Sequence, residues 1–219
     1  MAKKAGVQHR QSEETRRRIL EATLELAAER GYEGTTIALV TKRSGLPSGS
    51  VYWHFDNKDS LFAALIEQSF EEWSRQTGWA GDSGPSSHRR LIDFMCDRLT
   101  ADDFSHGFWR LGLLLSLEQR MTDSAARQRF LEIRRRMLDV LVRWWTNVLP
   151  GEVTARDENL ARRLAQFALA TSDGVFIAVA AGDDWDFRGL SDMLADALNH
   201  QVARAVREAR ETAGAHPAP

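Results

Sequence analysis

Apolar residues recur three or four positions apart along most of the chain, and this helical period limits the fold more than any other sequence feature. It is clearest in residues 19–27, 61–73, 130–148 and 190–202. Such spacing places apolar side chains on one face of a helix, whereas strands show alternation and hairpin turns, of which the sequence has no convincing example. The sequence therefore predicts an all-α protein of about nine helices, three of them short and packed into residues 15–55.

The composition is that of a soluble globular protein, with 43% hydrophobic and 27% charged residues among 219. The single cysteine, Cys96, excludes an intrachain disulfide, as expected in a reducing cytoplasm. The most membrane-like segment, residues 164–182, carries Asp173 at its middle. Because a charge at the centre of a bilayer is costly, we expect a buried helix there and a cytoplasmic protein with no membrane partner.

Charge is distributed unevenly along the chain. The net charge is −2, but residues 1–20 hold six Lys and Arg against two Glu, for a local charge of +4. Residues 61–219 hold 19 basic against 23 acidic residues, for a charge of −4. A basic end on an acidic body is typical of a protein that binds an anion such as DNA through that end. A solvated basic tail without a partner would give the same count.

Two short helices joined by a tight turn are predicted in residues 36–55, which read TIALVTKRSGLPSGSVYWHF. Thr36 can cap the first helix, and Gly45 tolerates the left-handed backbone of a turn. On the second helix Val51 and Phe55 are four residues apart and are predicted to face inward. This pattern predicts a helix-turn-helix, whose second helix can lie in the major groove of DNA.

The opposite face of this second helix carries polar and aromatic side chains. Ser50 and His54 can read base edges. Tyr52 can bond a phosphate through its hydroxyl, and Trp53 can pack on a sugar or a thymine methyl group. Asn57 is predicted to cap the next helix, whose amino end offers a further phosphate site. The alternative is that the two aromatic residues belong to the core and the histidine is an ordinary surface residue.

Residues 15–62 resemble the DNA-binding region of the TetR family of bacterial regulators. The features that carry the resemblance are a first helix and turn reading ILEATLELAAERGYEGTT, a turn reading KRSGL, a recognition helix reading SVYWHF, and Lys58 with Leu61. The resemblance implies a three-helix helix-turn-helix domain at residues 1–57, which begins with a basic N-terminal arm. It also implies a larger helical ligand-binding and dimerisation domain at residues 58–212, and we expect a disordered tail at 213–219.

The resemblance assigns DNA-binding roles to seven residues, with the first and last at backbone phosphates: Thr36, Ser48, Ser50, Tyr52, Trp53, His54 and Lys58. It also implies a repressor that acts on double-stranded DNA as a homodimer and is released from a palindromic operator by a small molecule. The chain departs from the usual family pattern at Leu39, Thr41 and Pro47. These departures bear on the capping of the two short helices and indicate an unusual operator.

The region beyond the helix-turn-helix is rich in Trp, Phe and Met, which suit a flat or apolar effector, although ordinary core packing gives the same composition. The residues predicted to bind the effector are Phe70, Trp73, Met95, Cys96, Trp109, Leu113, Met137, Trp144, Phe167 and Thr171. Residues 160–181 are apolar on nearly every face, which favours a helix packed between its own chain and a second subunit. The predicted dimer residues are Ala170, Gly174, Ala178, Ala181, Leu194, Leu198 and Val202.

Two other classes of function remain open from the residues alone: a helical enzyme, and a protein-interaction module whose helix-turn-helix does not read DNA. The sequence has no HExxH, Cys-x-x-Cys, GxSxG or glycine-rich phosphate loop, so neither an enzyme nor a cofactor is expected. Asp102, Asp103 and His106 are close enough in sequence to ligate a metal. A loop of solvated polar residues is the favoured interpretation, and no metal is expected there.

Overall fold

The computed structural model describes residues 2–77, 106–117 and 124–214. These described residues form helices and no strand, which confirms the all-α prediction. The helices are α1 (Ala2–Gly34), α2 (Ile37–Ser44), α3 (Ser48–His54), α4 (Lys58–Thr77), α5 (His106–Leu117), α6 (Ala125–Val148), α7 (Gly151–Arg156), α8 (Leu160–Ala181) and α9 (Phe187–Gly214).

The chain divides into two compact units. The first comprises Met1–Ser74 with Phe104–Ile133, and the second comprises Arg75–Asp103 with Arg134–Pro219. The first unit therefore extends beyond residue 57, because α5 packs against α1 and the first turn of α6 is hydrogen-bonded to α4.

Helix α1 packs against α2, α3 and α5 in the first unit. Its apolar stripe is buried as predicted, with Ile19 and Leu20 fully inaccessible to solvent. The regular helix is interrupted at Gly31, whose φ of 67° lies in the left-handed region. No atom would crowd a β-carbon at this position, so the glycine is required by the backbone conformation and not by packing. The regular helix is thus broken at Gly31, and α1 ends three residues later, at Gly34.

A close helix crossing joins α5 to α6 within the first unit. A β-carbon built on Gly112 would lie 2.0 Å from a ring carbon of Phe130, and the Phe130 side chain is fully buried. The crossing therefore depends on the missing side chain at Gly112, because a buried ring has no space into which it can move.

The core of the second unit lies among α6, α7, α8 and α9, with Trp145 as its largest fully buried side chain. Arg134 of α6 and Asp173 of α8 form a two-pronged, largely buried ion pair beside this core, with N–O distances of 2.7 and 2.5 Å. The charge that the sequence places in the middle of α8 is thus paired. Among the described residues, no helix combines the length and the apolar character that crossing a membrane requires.

Candidate nucleic-acid interface

Helix α2 is capped at both ends. The hydroxyl oxygen of Thr36 accepts a hydrogen bond from the backbone N–H of Leu39 at 3.3 Å, which confirms Thr36 as the N-cap. Gly45 ends the helix in the left-handed conformation, with a φ of 67°. The guanidinium of Arg18 in α1 donates to the carbonyl of Ser44 at 2.7 Å and so satisfies one of the last carbonyls of α2. The departure from the family pattern at Leu39 leaves this cap intact.

Helix α3 begins without a side-chain cap. Its N-cap is Pro47, whose side chain makes no capping hydrogen bond, and the first turn is closed by the Ser50 N–H bonded to the Pro47 carbonyl at 2.9 Å. Pro47 stands where the family pattern often has Ser or Thr, so the side-chain cap that those residues would provide is missing. The seven-residue helix is instead held by its buried face.

The two faces of α3 differ sharply in exposure. Val51 is fully buried and Phe55 is 5% exposed, as predicted, whereas Tyr52 is 56% and Trp53 is 73% exposed. A large aromatic side chain left this open on a short, well-packed helix is not part of the core of its own chain. The alternative interpretation of Tyr52 and Trp53 as core aromatics is therefore wrong for this chain.

An open groove of about 390 Å³ runs between α1 and α3. It is lined by Gln11, Ser12, Thr15, Gly49, Ser50, Trp53 and His54. The three α1 residues were not predicted from the sequence as part of the site. Their one available signal is that positions 11, 12 and 15 share a helical face and are all polar or hydrogen-bonding. The groove brings together donors and acceptors from two helices beside the exposed ring of Trp53.

His54 lies at the junction of this groove with the core. Its ring meets the Trp53 ring edge-on at 4.6 Å between centroids. The guanidinium carbon of Arg16 lies 5.6 Å from the centre of the neighbouring Phe55 ring. Burial, and to a smaller extent the positive charge of Arg16, lower the pKa of His54 below its ordinary value. A neutral imidazole offers one donor and one acceptor, which suits it to reading a base edge.

The start of α4 is capped, and its first residue, Lys58, packs on an aromatic ring. The side-chain oxygen of Asn57 accepts from the Ser60 N–H at 2.8 Å, while the Ser60 hydroxyl accepts from the Asn57 N–H at 3.2 Å, which confirms the predicted cap. The Lys58 ammonium lies 4.0 Å from the centre of the Tyr32 ring and 3.8 Å from the Glu33 carboxylate. Its side chain is 25% exposed.

The positive charge of the first unit is partly neutralised by its own acidic residues. Arg17 pairs with Glu14 at 2.6 Å and Glu21 at 2.5 Å. Arg43 of α2 pairs with Glu25 at 3.0 Å and Glu29 at 2.9 Å, both in α1. A count of charges along the sequence does not reveal these ion pairs, because they depend on which side chains the helices bring together.

The sequence model described as "Bacterial regulatory proteins, tetR family" matches residues 19–65. The HTH-type transcriptional repressor AcnR of Corynebacterium diphtheriae is 30% identical over 172 residues, which span 78% of this chain and 84% of the relative. The chain belongs to the TetR family. It is a transcriptional regulator with a helix-turn-helix domain, and regulators of this family bind DNA operators and small-molecule effectors, typically as dimers.

Solved structures agree with this TetR-family fold. Salmonella enterica GusR aligns with a TM-score of 0.65 at 19% identity, over 86% of this chain and 95% of its own. The multidrug binding protein EbrR, complexed with malachite green, aligns with a TM-score of 0.60 at 21% identity, over 83% and 96%. At these identities the likeness concerns the fold alone.

The residues predicted to bind the effector fall in both units of this TetR-family chain. In the first unit Phe70 and Trp73 stack at 5.8 Å, and Leu113 is half-buried. In the second unit Met137 is buried and Phe167 is 48% exposed. Trp144 packs on the core beside Trp145, and Thr171 donates its hydroxyl proton to the Phe167 carbonyl. Met95, Cys96 and the side chain of Trp109 lie outside the described residues.

The residues predicted to form the dimer divide by burial. Ala178, Leu194 and Leu198 are at most 6% exposed, because they pack into the core of their own chain and have little side-chain surface to offer a partner. Val202 is partly buried against that core. The exposed residues of the prediction are Ala170, Gly174 and Ala181.

The residues considered for a metal lie mostly beyond the structure. Asp102, Asp103 and the side chain of His106 are outside the described residues. Within the part of the chain that the structure describes, no three acidic, histidine or cysteine side chains come together as metal ligands would.

We expect Arg16→Gln to raise the pKa of His54 toward its ordinary value of 6.5, because a positive neighbour disfavours the imidazolium. Burial, the larger cause, remains, so the pKa should stay below that value. The measurement is an NMR titration of the histidine ring carbons. The matched control is Arg17→Gln, since Arg17 is paired with Glu14 and Glu21. An equal shift in both variants would show that Arg16 has no special influence on the ring.

Proposed function

We propose that this chain is a sequence-specific DNA-binding repressor that acts as a homodimer on a palindromic operator and is released by a small apolar or aromatic ligand. The observation that carries the proposal is the contrast along α3 and its C-cap, where Val51 and Phe55 are buried while Tyr52 and Trp53 are 56% and 73% exposed. A short helix anchored on one face and bearing open polar and aromatic groups on the other fits the major groove.

The residues of α3 divide into two roles in this proposal. Ser50 and His54 face the groove shared with α1 and read base edges. Trp53 packs its ring on a deoxyribose or a thymine methyl group, and Tyr52 donates its hydroxyl proton to a phosphate, while Ser48 lies at the exposed start of the helix. Base contacts specify the sequence, whereas phosphate contacts fix the position of the protein on the duplex.

Phosphate contacts flank α3 on both sides. The Thr36 hydroxyl accepts from the Leu39 N–H and therefore still has its proton to donate to a phosphate. Lys58 supplies a positive charge at the start of α4. Gln11 and Ser12 border the groove from α1 and can bond the same DNA strand that α3 reads.

An exposed apolar stripe on α8 supports the dimer. Phe167, Ala170, Gly174, Ile177 and Ala181 follow one another at intervals of three and four residues, and all five are exposed. Phe167 and Ile177 are 48% and 52% exposed. A stripe with small residues at its centre allows a second helix to approach closely, and a second copy of the chain provides such a helix under two-fold symmetry.

The aromatic content of both units supports an apolar effector. Phe70 stacks on Trp73 in the first unit, and Trp144 meets Trp145 edge-on at 4.8 Å in the second. EbrR, a structural neighbour of this chain, is a multidrug binding protein complexed with the dye malachite green. A flat aromatic molecule is therefore the ligand class that we propose for this chain.

Base-reading and phosphate-binding residues should give different mutant phenotypes once an operator has been selected from genomic fragments with the purified protein. Ser50→Ala or His54→Ala should relax base preference, by about 1–3 kcal/mol for each lost contact. Lys58→Ala should weaken all sequences alike and flatten the salt dependence of binding by about one unit of slope. The measurement is a set of binding curves against single-base operator variants at several salt concentrations.

The control for this set is His200→Ala, on an exposed position of α9, which should change neither quantity. The assignment of roles would be wrong if Lys58→Ala altered the preferred sequence while His54→Ala left it unchanged.

Release by a ligand should appear as reciprocal linkage. Malachite green, used as a flat aromatic probe, should quench tryptophan fluorescence and weaken operator binding by about 5- to 150-fold, the usual range of such couplings. The operator must then weaken dye binding by the same factor, because both sites share one equilibrium. The measurement is a dye titration with and without operator, and an operator titration with and without dye. A dye that binds without altering operator affinity in either titration would contradict the proposed switch.

A further inference from the structure

A single carboxylate joins the first turn of α4 to the beginning of α6. Asp59 accepts a hydrogen bond from the Ser124 hydroxyl at 2.5 Å and from the backbone N–H groups of Ala125 and Ala126 at 2.6 and 3.3 Å. The first N–H groups of a helix have no partner within it and carry partial positive charge. Asp59 therefore acts as the N-terminal cap of α6 although it lies 65 residues earlier in the chain.

Tyr32, near the end of α1, lies beside the same region of α4. The Tyr32 ring packs edge-on against Phe62 of α4, with 4.6 Å between the ring centres. Burial, followed by the negative charges of Asp59 and Glu33, raises the pKa of Tyr32 to about 12. The hydroxyl therefore keeps its proton near neutral pH, and the ring stays uncharged.

The Tyr32 ring is in turn the surface on which Lys58 rests. The Lys58 ammonium lies 4.0 Å from the ring centre, within the range of a cation–π interaction. A lysine side chain otherwise has four rotatable bonds, and fixing them for a phosphate contact costs conformational entropy. The ring limits this freedom, and Asp59, the next residue along α4, anchors to α6 the helical turn from which Lys58 extends.

We propose that Asp59 is a positioning residue for DNA binding, which anchors the first turn of α4 to α6 so that Lys58 is presented to a DNA phosphate. The inference rests on the proposed DNA-binding function. Asp59 itself contacts no DNA, since its carboxylate is occupied by Ser124 and by the first turn of α6.

The sign of the effect separates positioning from simple charge. A carboxylate near Lys58 repels DNA, so the loss of its charge alone should strengthen binding. If Asp59 positions Lys58, the loss of that charge should weaken binding instead. Asp56 provides the matched control, because it is an exposed carboxylate three residues earlier, in the bend between α3 and α4.

The experiment compares Asp59→Asn, Asp56→Asn and Ser124→Ala in the full-length protein, with operator DNA selected by the wild type. We expect Asp59→Asn to weaken operator binding about five- to tenfold and to flatten the salt dependence by about one unit of slope, as the loss of one phosphate contact does. Asp56→Asn should bind as tightly as wild type or more tightly, with an unchanged slope. Ser124→Ala removes one of the hydrogen bonds to Asp59 and should shift affinity in the same direction as Asp59→Asn, by a smaller factor.

A Lys58→Ala background tests whether Asp59 acts through Lys58. Adding Asp59→Asn to Lys58→Ala should produce no further loss of affinity, because the residue being positioned is gone. If Asp59→Asn does not fold, as judged by circular dichroism, Ser124→Ala provides the same comparison.

The two proposals fail in different ways in this experiment. The role of Asp59 alone would be overturned if the wild type binds the operator and Asp59→Asn binds it as tightly as Asp56→Asn does. It would also be overturned if the losses of affinity from Asp59→Asn and Lys58→Ala were fully additive. An absence of sequence-specific binding by the wild type would overturn the proposed function, and the role of Asp59 with it.

Discussion

The burial of Val51 and Phe55 is the interaction on which the proposed DNA interface depends. Helix α3 has seven residues and starts at Pro47 without a side-chain cap, and so short a helix has little stability of its own in water. Its packing against α1 and α2 must therefore supply the order that its sequence lacks. With Val51 buried, the helical period of α3 places Tyr52 and Trp53 on the open side, and Phe55 anchors the C-terminal end of the helix as its cap.

Electrostatic contacts then fix the frame around α3. Arg18 bonds the end of α2, Arg43 ties α2 to two glutamates of α1, and Asp59 ties α4 to the first turn of α6. Arg43, and Arg17 within the N-terminal segment, are each paired with two glutamates, so that less of their positive charge is available to attract DNA. Part of the basic character of residues 1–20 therefore serves the structure, which their net charge alone does not indicate.

The elements of the site whose signals are local could be predicted from the sequence. Gly45 marks the end of α2 because glycine tolerates the left-handed backbone of a turn, and Thr36 and Asn57 cap helices through contacts within three residues. Gln11, Ser12 and the Asp59 contacts involve residues far apart in the sequence and could not be found this way. For the same reason the period of α9 identifies Leu194 and Leu198 as apolar, but whether a partner or their own chain covers them depends on tertiary packing.

Hydroxyl-radical footprinting of the selected operator tests most directly the claim that two copies of α3 read DNA. We expect two protected regions related by two-fold symmetry, with centres one helical turn apart, roughly 34–36 Å. Protection should be lost when α3 no longer presents its open face, as in Trp53→Ala combined with His54→Ala, while the helical circular dichroism is retained. A single asymmetric protected region, or a footprint that survives this double substitution, would contradict the account.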